Sequence, residues 1–229
     1  IGRLRVPAGF AAVVGGGNAN IASGDYSTVS GGQTNEAAEI FASLGGGSLN
    51  FSAGDSSTIS GGFFNDATSL DASVGGGSEN IASGLASTIP GGSQNTAAAS
   101  LSFAQGFGAT VDQADIGAML FADSSQFFFF SERRDEFAVR ATGGVRLVTN
   151  VNSNGVPNAG VLLQPGGGTW LNISDRNAKE NLEAVNPREV LEKVNALPIS
   201  EWNYKTQDAS NRHLSPMAQD FHAAFGLGP

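Results

Sequence analysis

The hydrophobic positions of residues 11–106 recur with a period of fifteen. Valine, leucine or isoleucine occupies one column at this spacing, which contains Val14, Val29, Leu44, Ile59, Val74 and Ile89. Asparagine occupies a second column, which contains Asn20, Asn35, Asn50, Asn65, Asn80 and Asn95. Fifteen residues are too few for two helices with their turns, but they are enough for two short strands and two turns. The pattern predicts a mainly β protein, a parallel β-roll or β-solenoid with one coil for each repeat.

The turns of each coil are predicted from glycine and asparagine, which recur in register with the hydrophobic column. Pairs of glycines supply backbone angles that residues with a side chain avoid. Asparagine tolerates the left-handed region, and its side-chain amides can stack in a ladder between successive coils. The asparagine column is therefore predicted to form a turn ladder along the roll.

One large apolar residue per coil offers little stabilisation to an isolated roll. Burying such a side chain contributes ~1.5–3 kcal/mol, whereas ordering fifteen backbone units costs on the order of 15–30 kcal/mol. Hydrogen bonds between coils offset only part of that difference. We therefore expect the hydrophobic column from Val14 to Ile89 to face other chains, as the core of a closed trimer.

The net charge of −9 is unevenly distributed along the chain. Residues 25–123 contain ten acidic residues, whereas no lysine or arginine lies between Arg5 and Arg133. Binding to phosphates depends on basic side chains that neutralise them, so nucleic acid is not a predicted partner. No apolar run reaches the ~18 residues of a membrane-spanning helix, and no membrane insertion is predicted for this fragment.

The repeat also lacks the features of known ligand-binding repeats. The chain has no cysteine, which excludes disulfides and cysteine-ligated metals. A glycine-rich nucleotide loop requires a Gly-Lys pair, which this sequence does not contain. At a spacing of thirty residues, Asp25 and Asp55 are followed by Leu85, unlike calcium-binding repeats with an aspartate in every turn. We predict no metal site and no cofactor, and we interpret the repeat as a scaffold.

Units such as VVGGGNANIASGDYSTVSGG and SVGGGSENIASGLASTIPGG resemble the head repeats of trimeric autotransporter adhesins, the YadA-like head. The resemblance covers about residues 11–123, preceded by a connector over residues 1–10. It implies a homotrimer of left-handed parallel β-rolls at the surface of a bacterium or of a phage particle. A cell-surface receptor or glycan, or a larger fibre assembly, is then the expected partner.

Residues 124–173 break the period and are predicted to form a neck and connector. Four consecutive phenylalanines, residues 127–130, are interpreted as the plug of a core between chains. Alternation of Phe137, Val139 and Ala141 with polar residues predicts a short strand, and a second strand follows the Gly143-Gly144 turn. The segments NVNSNGVPNAG and QPGGGTW are predicted to be turn-rich connectors.

Residues 174–229 carry the signals of a small α+β unit. Asn186-Pro187 predicts the start of a helix, which Pro198 ends. The segment ISEWNY predicts a strand, and Ser215-Pro216 predicts the start of a second helix that Gly226 ends. A unit of this size is too small to form a robust core by itself.

The segments SDRNAKENLEAVNPREVLEKVNALPISEWNYK and RHLSPMAQDFHAAFGLG resemble the endosialidase-type intramolecular chaperone of phage tail spikes and fibres. The resemblance implies a trimeric chaperone that guides folding of the β-structure before it and then cuts itself off. The family cuts immediately before the serine of an S-D-x-x-x-K motif. Ser174, Asp175 and Lys179 match this motif, so the implied cleavage bond is Ile173–Ser174.

Two further positions are compared with the family. A histidine lies near the family's cleavage site, and His213 matches it; two residues later the family usually has glycine, where this chain has Ser215. The resemblance covers only the front part of the domain. The family's long C-terminal helices are expected beyond Pro229, so the chaperone domain is expected to be truncated here.

The residue types at this position suit a single-turnover peptidase. Serine becomes a nucleophile only when a neighbouring base takes its proton, and lysine can be that base only in its neutral form, which burial favours. Attack by Ser174 on the carbonyl of Ile173 gives an ester that water hydrolyses. No external substrate is expected, because the nucleophile is attached to its own substrate.

Three interpretations of the chain stay open at this point. The first is a trimeric fibre or adhesin-like surface protein whose chaperone drives trimer folding and cleaves at Ile173–Ser174. The second is a purely structural trimeric segment whose chaperone domain is retained. The third is an enzyme that acts on an external glycan.

Overall fold

Each fifteen-residue repeat folds into one coil with two short strands. The computed structural model describes residues 8–172 and 179–227, and the chain divides into two units, Ile1–Ile173 and Ser174–Pro229. The first unit contains a β-solenoid of about nine turns, so the predicted mainly β fold with fifteen-residue coils is confirmed. Its strands are β1 Val13–Val14, β2 Ile21–Ala22, β3 Thr28–Val29, β4 Glu36–Ala37, β5 Ser43–Leu44, β6 Phe51–Ser52, β7 Thr58–Ile59, β8 Asp66–Ala67, β9 Ser73–Val74, β10 Ile81–Ala82, β11 Thr88–Ile89, β12 Gly92–Ser93, β13 Thr96–Ala97, β14 Phe103–Phe107, β15 Ala109–Val111, β16 Met119–Ala122, β17 Phe129–Phe130 and β18 Phe137–Arg140.

The strands form two parallel sheets that run along the solenoid. The first sheet has the order β1-β3-β5-β7-β9-β11-β14-β16-β18, with β12 beside β14. The second sheet has the order β2-β4-β6-β8-β10-β13-β15-β17. Residues one repeat apart are paired, as in Leu44 with Ile59 and Ala67 with Ala82. The period of the sequence is therefore the register of both sheets.

The hydrophobic column lies inside the solenoid of a single chain. Val29, Leu44, Ile59, Val74 and Ile89 are all 0% exposed in the isolated chain, and Val14 packs against the same core from the first coil. The expectation that this column faces other chains is therefore wrong. Buried columns of alanine and serine fill the rest of this thin interior. Each coil therefore buries more than its one large apolar side chain.

The buried asparagines form a continuous ladder through the solenoid. The side-chain amide nitrogen of Asn65 donates to the side-chain oxygen of Asn50 at 3.0 Å, and to the carbonyl oxygens of Gly61 and Gly77 at 3.1 and 3.0 Å. The side-chain oxygen of Asn65 accepts from the backbone and side-chain nitrogens of Asn80, at 3.1 and 3.0 Å. Each such rung therefore satisfies backbone groups of its own coil and of the following coil, and it is joined to the preceding rung through the asparagine side chains.

The left-handed backbone conformation belongs to the residues before the asparagines. These residues have φ between 55° and 59°, namely Ala19, Thr34, Leu49, Phe64, Glu79 and Gln94. The expectation that asparagine itself supplies the left-handed turn is therefore wrong. Glycine meets a second constraint in the same turn: Gly32 has φ 92°, and a Cβ there would lie 2.2 Å from the carbonyl oxygen of Gly47.

The solenoid extends beyond residue 123, where the sequence predicted its end. Strands β17 and β18 continue the two parallel sheets as far as Arg140. The Arg140 guanidinium forms a 2.9 Å ion pair with Asp123 and donates to the carbonyl oxygens of Phe107 and Ser125, at 3.1 and 3.0 Å. It also donates to the carbonyl oxygen of Phe127. This side chain thus attaches the loop 123–128 to the last coils.

Asp123 is held in its charged form at this end of the solenoid. The Thr142 hydroxyl, and then the Thr142 backbone amide, donate hydrogen bonds to its carboxylate, each at 2.7 Å. These bonds, with those from Ser125 and Arg140, lower the pKa of Asp123 far below its ordinary range. The ionised carboxylate therefore connects Arg140 of the last parallel strand with Thr142 of the segment that follows it.

A three-stranded antiparallel sheet follows the solenoid. Its strands are β19 Val145–Val151, β20 Pro157–Leu163 and β21 Trp170–Asn172. The segment NVNSNGVPNAG, residues 150–160, was predicted to be a connector, but only residues 152–156 form a turn, and its two ends belong to β19 and β20. Asn152 accepts from the amides of Asn154 and Val156, at 2.9 and 3.0 Å, and closes that turn before β20 begins.

The four phenylalanines of residues 127–130 have different surroundings. Phe129 packs against the core of the solenoid, whereas Phe127, Phe128 and Phe130 are exposed in the single chain. The plug between chains stays a prediction.

The second unit contains two helices and a β-hairpin. The helices are α1 Pro187–Asn195 and α2 Ala218–Phe225, and the hairpin strands are β22 Ser200–Trp202 and β23 His213–Ser215. Helix α2 begins later than predicted, because Ser215 pairs with Ser200 in the hairpin instead of capping the helix. Within the described residues, no helix is long and apolar enough to cross a membrane.

Candidate functional site

The implied cleavage site lies at the start of the second unit. Ile173, Ser174 and Asp175 fall outside the described residues, so the geometry of the bond and of its nucleophile is not part of the structure. Lys179 is described and is exposed to solvent in the single chain, ahead of helix α1. A lysine that takes a proton from serine must be neutral, and burial favours that form. The single chain does not supply that burial at Lys179.

Helix α1 begins at the cap that the sequence indicated. The Asn186 side-chain oxygen accepts from the backbone nitrogen of Arg188 at 3.1 Å, and its amide donates to Glu189 at 3.0 Å. The first of these bonds satisfies a backbone N–H that the first turn of a helix leaves without a partner, and the second joins the two side chains. The cap fixes where the segment that follows Lys179 becomes helical.

His213 is held on one face of the hairpin by two aromatic side chains. Its ring stacks on Trp202 with centroids 4.5 Å apart, and it meets Tyr204 edge-on at 5.8 Å. The Nε2 atom of His213 lies 3.0 Å from the side-chain oxygen of Gln207. The alternation in ISEWNY predicts that Trp202 and Tyr204 share one face of the strand. Nothing in the sequence indicates that Gln207 contacts His213. That residue follows the strand in a turn, where spacing carries no information about side-chain direction.

Ser215 has a defined role in the same hairpin. The indole nitrogen of Trp202 donates to the Ser215 hydroxyl oxygen at 3.0 Å, and that hydroxyl donates to the carbonyl oxygen of Pro216 at 3.1 Å. A glycine at this position would leave the indole N–H without that acceptor. The serine therefore fixes the indole ring, which in turn supports His213.

The second unit has no buried residue among residues 179–227. Several large apolar side chains are half or more exposed, namely Leu182, Val185, Leu191, Ile199, Leu214 and Leu227. The Lys193 ammonium of helix α1 lies 5.6 Å from the centre of the Phe225 ring of helix α2. A surface of this kind is typical of a segment that associates with other chains.

Among residues 8–172 and 179–227, no group of three or more histidines, aspartates or glutamates is arranged to hold a metal ion.

Comparison with known proteins agrees with one of the two sequence resemblances. Residues 174–226 match the family model described as the chaperone of endosialidase. The matched segment begins at Ser174 and contains Lys179, His213 and Ser215. No curated protein matches the chain. The resemblance of residues 11–123 to YadA-like head repeats stays a prediction.

Proposed function

We propose that this chain is a fibre-like structural protein of the tail-fibre or surface-adhesin kind, whose C-terminal unit is an intramolecular chaperone. The observation that carries the proposal is the order of the two units: a β-solenoid of about nine turns and a short antiparallel sheet are followed by a segment similar to the chaperone of endosialidase. A regular solenoid forms a stiff rod, and a chaperone guides several such rods to fold and associate. An extracellular location, on a bacterial surface or a phage-like particle, follows from this kind of protein.

The proposed assembly is a homotrimer, as the resemblance to the endosialidase chaperone implies. A chain with a net charge of −9 repels copies of itself, so the surfaces that meet should be uncharged. The outer face of the first sheet meets this requirement. Its central column contains only uncharged residues, namely Val13, Thr28, Ser43, Thr58, Ser73, Thr88, Phe103, Met119 and Phe137.

The apolar end of this face strengthens the argument. Phe121 lies between Phe103 and Phe137, with ring centroids at 5.0 and 5.5 Å. Phe137 is 70% exposed and Met119 is 46% exposed in the single chain. Burial of such side chains contributes ~1.5–3 kcal/mol each. We therefore assign the contact between chains to the outer face of the first sheet.

A charge on this face should separate the chains. For the wild type we expect sedimentation and native mass spectrometry to give three times the chain mass of 23.3 kDa. Thr58→Glu brings three carboxylates together, and like charges in contact cost several kcal/mol, so this variant should be monomeric at micromolar concentration. Thr68→Glu adds the same charge to an exposed position outside the first sheet and should stay trimeric. A monomeric wild type, or a trimeric Thr58→Glu, would contradict the assignment.

The proposed second activity of the chaperone unit is release by self-cleavage at Ile173–Ser174. Ser174 Oγ attacks the carbonyl carbon of Ile173, its proton passes to Lys179, and the Ser174 nitrogen leaves as an amine that receives that proton. The acyl group is then an ester on Ser174, and one water molecule hydrolyses it to a free carboxylate and the original hydroxyl. Because Lys179 is exposed in the single chain, its burial must come from assembly. Cleavage should then follow trimer formation.

Fragment analysis of the full-length protein tests this activity. We expect one fragment that ends at Ile173 and another that begins at Ser174, identified by intact mass and N-terminal sequencing. Ser174→Ala and Lys179→Ala should each leave the chain whole while the trimer forms. Lys179→Arg should also fail, because arginine stays protonated and cannot act as a base. Lys193→Ala, which removes a lysine from helix α1, should be cleaved normally.

The alternative function is a fibre segment with a retained chaperone. The observation that favours it is Ser215, whose hydroxyl is engaged with the Trp202 indole where the family usually has glycine. A wild-type chain that stays whole after trimer assembly would rule out cleavage and leave this alternative. Cleavage that becomes faster in Ser215→Gly would identify the serine as the residue that restrains it.

A further inference from the structure

A groove interrupts the regular surface of the solenoid beside the second sheet. It encloses about 520 Å³. Phe63 and Phe64 form one wall, with ring centroids 6.2 Å apart, and Phe128 contributes to another part of the lining. Ile81, on the outer face of β10, also lines the groove. All four side chains are between 41% and 56% exposed, so the groove is open along one side.

The groove does not follow from the repeat. The two columns that contain Phe63 and Phe64 hold small, polar or aliphatic residues in the other coils, namely Asn18-Ala19, Gln33-Thr34, Ser48-Leu49, Ser78-Glu79 and Ser93-Gln94. Stacking of the coils does not require an aromatic pair at this place. Both rings are large and half exposed, although a solvent-facing turn favours polar residues. The pair therefore requires an explanation other than folding of the coil.

Acidic side chains also line the groove. Asp66 lies on the outer face of β8, and Glu79 accepts a 3.0 Å hydrogen bond from the Gln94 amide. Burial raises the pKa of Asp66, because its carboxylate is partly removed from water. No ion pair among the described residues involves Asp66 or Glu79. The sequence contains no lysine or arginine between Arg5 and Arg133, so the repeats offer no cation to pair with either carboxylate.

We propose that this groove binds an arginine or lysine side chain of another protein. Phenylalanine faces attract guanidinium and ammonium groups, and the two carboxylates supply the opposite charge. The open side of the groove suits a side chain presented from a larger surface, since pockets for small ligands enclose most of the molecule. The part of the solenoid before Arg133 carries acidic residues and no lysine or arginine, and this charge would also speed the approach of a basic partner.

A second copy of this chain is a poorer occupant. The outer face of the second sheet carries Glu36 and Asp66 in one column, and no basic residue of the repeats could pair with them. Contact between two such faces would bring like charges together, which costs several kcal/mol. This inference does not depend on trimer formation or on cleavage.

Binding of a labelled peptide to the full chain tests the inference. The probe is a fluorescent Gly-Arg-Gly-Arg-Gly peptide, measured by anisotropy, and its matched control contains citrulline in place of arginine. We expect saturable binding of the arginine peptide and affinity at least about tenfold lower for the neutral peptide. Equal affinity for the two peptides would overturn the proposal.

Two variants and one control then locate the site. Asp66→Asn and Phe64→Asn should each lower the affinity by about tenfold; asparagine keeps the positive φ of residue 64 accessible. Asp55→Asn removes the same charge from an exposed position outside the groove and should leave the affinity within about twofold. Melting curves establish that all three fold.

An equal loss in Asp55→Asn would show a diffuse charge effect, and a changed sedimentation coefficient in Asp66→Asn without peptide would show a contact between copies. Either result would refute the proposal.

Discussion

Replacing Ile59 by aspartate should unfold the solenoid of the single chain rather than separate assembled chains. Ile59 is 0% exposed and pairs with Leu44 and Val74 in the first sheet. The variant loses the buried isoleucine, which costs ~2–5 kcal/mol, and places a carboxylate among apolar side chains with no cation in the repeats. The combined loss should exceed about 5 kcal/mol, which is as large as the total stability of many domains.

Two control variants make this result specific. Ile59→Val keeps the site apolar and should cost only about 0.5–1.5 kcal/mol. Thr58→Asp places the same charge one residue earlier, on the outer face; this variant should dissociate as Thr58→Glu does, but each coil should keep its far-ultraviolet circular dichroism. An Ile59→Asp chain that stays folded and merely dissociates would contradict the single-chain interior described above.

The register of the solenoid could be predicted from the sequence because every coil repeats the same chemistry. A shift of one residue would place each asparagine beside a residue of a neighbouring column, as with Asn50 beside Thr34 or Glu36, and would break the ladder. Columns such as that of Asn35 and Asn50 therefore specify which residues lie side by side in successive coils.

The inward and outward directions of the columns could not be predicted from hydrophobicity. The outer column of the second sheet contains Ile21, Phe51 and Ile81, whereas the adjacent inner column contains alanine and one serine. A narrow interior limits the size of its side chains, so its columns are uniform. An outer column varies freely in size and charge, as Glu36 and Asp66 do between the apolar residues. Uniformity within a column is therefore the better signal of burial.

The C-terminal unit shows a similar division between local and distant effects. Helix α1 was predictable, because Asn186 and Pro187 define its start through contacts within one turn. The start of helix α2 could not be predicted, because Ser215 pairs in a hairpin with Ser200, which lies fifteen residues earlier. Local capping signals at Ser215-Pro216 could not reveal that competing pairing.

Removing one asparagine from the middle of the ladder should destabilise the solenoid strongly. Asn65→Ala removes the acceptor of the Asn80 side-chain amide and the donor to the carbonyl oxygens of Gly61 and Gly77. Each buried group that loses its partner costs ~1–3 kcal/mol. We expect a loss of about 3–5 kcal/mol in the free energy of unfolding, measured by denaturant titration.

The position within the ladder should decide the size of the effect. Asn20 occupies the first rung, where its amide donates to Gly16 and Gly32 but to no preceding asparagine, so Asn20→Ala should cost less than Asn65→Ala. Asn18→Ala makes the same chemical change at an exposed position and should alter the free energy by less than about 0.5 kcal/mol. Similar losses at residues 18 and 65 would mean that the ladder adds nothing beyond the stacking of coils. A graded loss would instead identify the asparagines as the residues that hold each coil to the next.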